Sequence, residues 1–376
     1  MLLVLYAAAL TPHWRFDRDS ALYLALGRSL GTGQGYVFDG HRQTMYPPGY
    51  PAIVAAEGVA FGFPRSFGDS FLVLNATQAL CALGSVLLLA LILRRSRLPD
   101  RLAWPIVLLY GTNRSLFLYA TLDMTDVPFG FFSLLALWAG LRMAQQTGAR
   151  RWAWALATGA SILVASSVRA TGPLLVPAML AELWLVPQWR SRWKANLFSS
   201  ALIGAFLLLP LAGWMLATRG ALGGGNLGYF RDAANLQHVL RLPANLIARL
   251  PKHLNSTTDA LSGVTLGAPV GALLCFFMGA GIWRTIRRHQ WALTVYGLLT
   301  MLAVLAAGFT LSRRYLLPVL PAMCYWLVLG ADATGALLRE RTRFWTATRC
   351  RHAAVAAIVL LMGTNLLRDS KVVLES

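Results

Sequence analysis

The chain has 376 residues, of which 57% are hydrophobic and only 13% charged, with a mean hydropathy of +0.55. That composition excludes a soluble multidomain protein and indicates an all-α, polytopic membrane protein. The net charge of +19 is carried by short Lys and Arg clusters between apolar stretches, a pattern of membrane topology that excludes a nucleic-acid partner.

Residues 1–10 are apolar but shorter than the roughly twenty residues of a crossing helix. No small-residue cleavage pattern follows, so the sequence suggests a first span shortened at its N-terminus. Residues 12–51 are polar and acid-bearing: Asp17-Arg18-Asp19, an amphipathic run with Tyr23, Gly27 and Arg28, then Asp39, Arg42 and Tyr46-Pro47-Pro48-Gly49-Tyr50-Pro51. Such a loop in a hydrocarbon-soluble chain reads as the holder of a catalytic carboxylate at a membrane surface. Residues 52–63, which carry Glu57 and are closed by Gly62 and Pro64, are too short to cross and read as an interfacial or re-entrant helix.

Spans are predicted at 70–93, 102–120, 127–141, 152–168, 172–186, 196–217, 264–283, 291–310, 315–337 and 352–367, about eleven with the first. The whole chain, 1–376, reads as one integral-membrane domain, with a second large polar loop at 219–263. Cys81, Cys275, Cys324 and Cys350 lie far apart with no metal-ligand spacing, and read as ordinary packing residues.

Alternate loops differ in charge. One set holds Arg94, Arg95, Arg97 and Arg101, Arg142, Arg150 and Arg151, Arg190, Arg192 and Lys194, Arg284, Arg287 and Arg288, and Arg339, Arg341, Arg343, Arg349 and Arg351, with only Asp100 and Glu340 as acids. By the positive-inside rule these loops are cytoplasmic. The other set holds the opening loop, Asp123 and Asp126, Arg169, the 219–263 loop, and Arg313 and Arg314. The working site is therefore expected outside the cytoplasm.

Asp17-Arg18-Asp19 with its amphipathic run, then Gly33-Gln34-Gly35-Tyr36 and Pro47-Pro48-Gly49-Tyr50-Pro51, resemble the first exterior loop of GT-C-fold glycosyltransferases that use polyprenyl-phosphate sugars. The similar branch is the bacterial one that resembles protein O-mannosyltransferases and the lipid A aminoarabinose transferase. Thr121 to Pro128, Val168-Arg169-Ala170-Thr171-Gly172 and Arg313-Arg314-Tyr315-Leu316-Leu317-Pro318 resemble later motifs of the same family, all on the side assigned as exterior by charge. Where the lipid A branch has a basic residue before the paired prolines this chain has Tyr46, and Arg42 is the nearest cation.

The resemblance implies a polyprenyl-phosphate sugar donor, a hydroxyl acceptor, contact with membrane lipids, and residence in a bacterial-type inner membrane with the site on the periplasmic or extracellular face. Moving a sugar from a lipid phosphate to a hydroxyl needs a base near the acceptor and cations at the leaving phosphate. Asp19, at the head of the amphipathic helix, suits the base, and Asp17 competes with it; both also read as caps of that helix. Asp123 and Asp126 read either as a cap before Pro128 or as a second carboxylate position for the acceptor or a divalent cation.

Arg169, Arg313 and Arg314, with Arg42, are the candidate phosphate ligands, although arginines at span ends also simply reach for headgroups. Tyr46, Pro47, Pro48, Tyr50, Tyr229 and Lys252 are the candidate substrate-loop residues, and no residue pattern demands a metal or other cofactor. The alternative of a transporter or flippase predicts ionisable residues at mid-membrane and paired, interrupted helices. Little beyond Glu182 and Asp332, both nearer the cytoplasmic side, lies away from the span ends, and the sequence shows no internal repeat; a non-catalytic membrane scaffold, the third option, leaves the acidic loop without a role.

Overall fold

A computed structural model describes residues 2–15, 17–43, 46–63, 71–96, 98–217, 248–306, 312–341, 356 and 359–367. Residues 2–8 form α1 (Leu2–Ala8), held by the Tyr6 hydroxyl, which donates to the carbonyl of Gly111 at 3.3 Å. The first polar loop contains α2 (Arg18–Gly31), a two-stranded hairpin, and α3 (Gly49–Phe61). In the hairpin β1 (Val37–Phe38) pairs antiparallel with β2 (His41–Arg42), Val37 opposite Arg42. Its turn is Asp39-Gly40 with φ of 50° and 75°, the left-handed pair that a two-residue hairpin requires.

The bundle follows with α4 (Leu72–Arg95), α5 (Asp100–Gly111), α6 (Arg114–Tyr119), α7 (Asp126–Gln145), α8 (Gly148–Val168), α9 (Leu175–Leu185), α10 (Pro187–Arg190) and α11 (Trp193–Ala217). After the described chain resumes come α12 (Leu250–Ser262), α13 (Ala268–Arg287), α14 (Trp291–Ala306), α15 (Arg313–Leu316) and α16 (Leu320–Arg341). α7 packs along both α4 and α8, and α13 along α16.

Among the described residues, four helices are long and apolar enough to cross a membrane: Leu72–Arg95, Asp126–Gln145, Ala268–Arg287 and Arg313–Leu337. Shorter apolar helices run over Gly49–Phe61, Gly172–Leu185, Trp193–Leu208 and Trp291–Leu305. The span expected at 102–120 is instead two helices, α5 and α6. Asn113 causes the break: its Oδ1 accepts from the Ser115 amide at 2.8 Å and caps α6, while its Nδ2 donates to the Ala260 carbonyl at 2.8 Å. A short amide side chain thus replaces a helix bond with two others. The helix expected from 172 opens with a 3₁₀ turn at Pro173, and the one expected from 315 is interrupted after α15 by a 3₁₀ turn at Pro318, where the ring lacks a backbone donor.

Two close approaches set the first loop onto the bundle. A methyl group on Gly27 would lie 2.5 Å from Val54 of α3, and one on Gly49 would lie 2.4–2.6 Å from the Oγ, carbonyl carbon and carbonyl oxygen of Ser167. Gly49 therefore lets the Tyr-Pro-Pro-Gly run rest on the end of α8, two residues before Arg169.

Gly49→Ala should destabilise the protein by about 1–3 kcal/mol through overpacking, read as a lower unfolding temperature in detergent. Gly130→Ala in α7, where an added methyl meets nothing within 4 Å, is the control and should be neutral or slightly stabilising.

Candidate active site

The site begins at the head of α2. Asp17 has extended backbone and its Oδ1 accepts from the Asp19 amide at 3.0 Å, while its own amide donates to Ser20 Oγ at 3.2 Å. This is a reciprocal cap, and it commits the Asp17 carboxylate to the helix. Asp19, in the first turn, is directed elsewhere: its Oδ2 lies 2.6 Å from Nη1 of Arg314.

Arg314 also reaches Asp126, the first residue of α7, its Nε donating to Oδ2 at 3.1 Å. Arg169, extended at the end of α8, donates to the other Asp126 oxygen. The side chain of Asp126 is 0% exposed, so both of its oxygens are neutralised inside the protein, whereas that of Asp19 is 27% exposed. Four residues far apart in sequence thus form one chain, Asp19 to Arg314 to Asp126 to Arg169. Among the described residues, Asp19 Oδ1 has no partner, and it is the free carboxylate oxygen of the chain.

Aromatic rings wall this chain. Tyr23 of α2 meets Tyr46 and Tyr50 edge to face, with ring centres 5.7 and 5.5 Å apart. The Tyr36 hydroxyl fixes the same run by donating to the Tyr46 carbonyl at 3.0 Å, and Pro47 and Pro48 lead directly into α3. Burial and the Asp19 charge push the hydroxyls of Tyr23 and Tyr46 above their usual range, so both stay neutral beside the carboxylate. The Arg169 guanidinium lies 5.9 Å from the ring centres of both Phe129 and Tyr315.

Other expected residues are placed elsewhere. Arg313 turns away from its neighbour and pairs through Nε and Nη2 with Asp259 of α12, adding a 3.4 Å bond to the Gly263 carbonyl. Arg42 is exposed on β2 and Lys252 is exposed on α12. Tyr229 lies outside the described residues. Asp259, Tyr23 and Tyr315 were not singled out as site residues by sequence, although Tyr23 and Tyr315 lie within the motifs named above; no local pattern marks Asp259. A divalent cation at this site would use Asp19 and Asp126 and displace a guanidinium; among the described residues no three His, Cys, Asp or Glu side chains converge.

Asp123 does not join the chain. It is 1% exposed, and neither carboxylate oxygen has a partner among the described residues. Burial, with the nearby Glu57 charge, raises its pKa from an ordinary value near 3.8 to about 7. Glu57, raised by burial, accepts from Thr77 Oγ1, and Gln78 Nε2 next to it donates to the Tyr50 hydroxyl at 2.8 Å and the Met124 carbonyl at 2.9 Å.

The unfolded chain releases the Asp123 proton at lower pH than the folded chain does, so Asp123 makes stability fall as pH rises from near 4 to about 7. Asp123→Asn removes that dependence. Its stability advantage over the wild type should grow by about 2–3 kcal/mol between pH 5 and pH 8, measured by thermal unfolding in detergent. An advantage that does not change over this range would show that Asp123 is ionised throughout.

Residues 60–214 match the family model of the dolichyl-phosphate-mannose-protein mannosyltransferases. That stretch holds Asp123, Asp126 and Arg169 and excludes Asp19 and Arg314. No curated protein matches the sequence significantly. Among solved structures, ArnT from Cupriavidus metallidurans bound to undecaprenyl phosphate is similar with a TM-score of 0.60 and 16% identity, over 99% of this chain and 74% of that one. The archaeal oligosaccharyltransferase AglB from Archaeoglobus fulgidus, in complex with an inhibitory peptide and a dolichol-phosphate, is similar with a TM-score of 0.58 and 14% identity, over 99% of this chain and 55% of that one. At these identities the likeness to both is one of fold. With that fold and a mannosyltransferase match across its middle, the chain is a membrane glycosyltransferase of the GT-C fold, resembling the enzymes that use polyprenyl-phosphate sugars.

Proposed function

We propose that this protein transfers a sugar from a polyprenyl-phosphate donor to the hydroxyl of a lipid, glycan or protein acceptor, with inversion, on the exterior face of a bacterial-type inner membrane. The observation that carries the reading is Arg314 held between Asp19 and Asp126, with Asp19 partly open. The neighbours ArnT and AglB, in structures holding undecaprenyl phosphate and dolichol-phosphate, support a lipid phosphate as the donor's leaving group. The charge alternation of the loops supports the exterior face, and hydropathy supports about eleven crossings.

In this mechanism Asp19 is the base. The acceptor oxygen attacks the anomeric carbon, its proton passes to Asp19 Oδ1, and the bond to the phosphate oxygen breaks with its electron pair leaving on the polyprenyl phosphate. Arg314 and Arg169 face the phosphate and neutralise it, since a planar guanidinium binds two of its oxygens at once. The incoming phosphate competes with Asp19 for Arg314. As the guanidinium moves toward the phosphate, the Asp19 carboxylate loses its counterion and gains basicity when the acceptor needs it. Asp126, buried and doubly bonded, orients both arginines throughout, while Asp17 keeps α2 capped.

Asp19→Asn should lower transfer by roughly two to four orders of magnitude, the range for a lost general base, while a radiolabelled polyprenyl-phosphate sugar, chosen by screening a donor panel, still binds at least as tightly. Asp17→Asn keeps a capping oxygen and should retain near wild-type turnover. Comparable turnover in wild type and Asp19→Asn on that donor would remove Asp19 from the mechanism.

Arg314→Ala should weaken donor binding, and Arg314→Lys should restore only part of it, because an ammonium cannot make the two-pronged contact. Equal donor affinity in wild type and Arg314→Ala would leave Arg314 as an anchor for Asp126 alone.

A further inference from the structure

At the end of the bundle away from Asp19, the starts of α8 and α11 enclose a cavity of about 380 Å³. α8 runs from this cavity to Arg169 at the active site, a separation of about 27 Å at the helical rise. Arg151 of α8 lines the cavity and is 2% exposed. Its Nε donates to Ser199 Oγ at 3.1 Å and its Nη2 to Asn196 Oδ1 at 2.7 Å, both neutral acceptors. Among the described residues its Nη1 has no acceptor and the guanidinium has no carboxylate. A buried charge left with neutral partners requires a counterion.

The rest of the lining points to an anion. Arg192 and Lys194 border the same cavity, and no acid does. Gly148 and Trp193, the first residues of α8 and α11, also line it. Thr147 makes no side-chain cap, so the first-turn amides of α8 are free to bond an anion. The one opposing feature is the end of α7, and there Arg192 Nη1 already donates to the Gln146 carbonyl at 3.4 Å. Three cations and two helix N-termini without a carboxylate match a group with several charged oxygens, a phosphate.

The surroundings select its source. Trp152 and Trp193 flank the cavity, as tryptophans do at a membrane boundary. One turn further along α11, Leu197 and Phe198 are each 56% exposed and continue the surface away from the cations, with Phe198 edge to face against Trp152 at 4.4 Å. A cationic cavity that opens onto an apolar strip fits a headgroup attached to acyl chains. We infer that this cavity binds the phosphate of an anionic membrane phospholipid at the end of the bundle opposite the transferase site.

The test uses the full chain, delipidated in detergent, and compares dioleoyl phosphatidylglycerol with dioleoylglycerol, which has the same tails and no phosphate, and with soluble glycerol 3-phosphate. Native mass spectrometry and thermal unfolding read binding. Phosphatidylglycerol should bind and raise the unfolding temperature while the other two do not, and Arg192→Gln with Lys194→Gln should raise its dissociation constant about tenfold or more. Arg151→Gln should do the same, and if that variant does not fold the rim double variant still decides. Equal binding of the two lipids, or unchanged phosphatidylglycerol affinity in the double variant, overturns the site. Protection by glycerol 3-phosphate at the concentration where phosphatidylglycerol acts overturns the lipid assignment.

Discussion

The buried carboxylate of Asp126 is the constraint on which the rest of the arrangement depends. An ion withdrawn from water carries a penalty of several kcal/mol unless opposite charges and hydrogen bonds compensate it. Here two guanidinium groups do so, one on each oxygen. Meeting that requirement fixes the end of α8 through Arg169 and the approach to α16 through Arg314. Arg314 then takes hold of Asp19, so the polar first loop is drawn onto the bundle by the same charge. One interaction thus ties the fold to the candidate site, and the carboxylate that holds the elements together also orients the groups proposed to react.

Polar ties recur wherever elements meet at this end of the molecule. Asn75 donates to the carbonyls of Thr11 and His13, Asn113 to those of Ala260 and Leu261, and Asn365 to that of Leu261, while Arg313 pairs with Asp259. Apolar surface gains little by leaving lipid for another helix, so directional bonds and close packing must select the arrangement. Gly27 and Gly49 supply the close packing, by letting backbone approach where a methyl group would collide.

The two ends of the bundle differ in how completely their cations are matched, although the far end also holds the Arg284–Asp332 pair. At the Asp19 end Arg169, Arg313 and Arg314 are each matched by a carboxylate. At the far end Arg151, Arg192 and Lys194 surround a cavity without an acid. An excess of basic residues that first reads as a topology signal therefore has a local structural consequence as well. It leaves one buried guanidinium, that of Arg151, without a carboxylate partner among the described residues.

Composition and periodicity alone determined that the chain is an all-α membrane protein and that a polar acid-bearing loop interrupts it early, while the resemblance of its motifs singled out Asp17, Asp19, Asp123, Asp126, Arg42, Arg169, Arg313 and Arg314 for testing. These follow from averages over many residues and from motif order, which survive without coordinates. The division of labour among neighbours was decided by tertiary structure. Arg313 and Arg314 are adjacent, yet successive residues on a helix diverge by about 100°, and the two take different carboxylates on different helices. Asp17 and Asp19 both read as cap or base until the backbone at Asp17 turned its oxygen to the Asp19 amide and left Asp19 facing Arg314. Asp123 and Asp126 lie one turn apart, but only Asp126 meets cations, while Asp123 is buried beside Glu57. Which partner a charge finds depends on surfaces brought together from distant parts of the chain, and no local window of sequence carries that information.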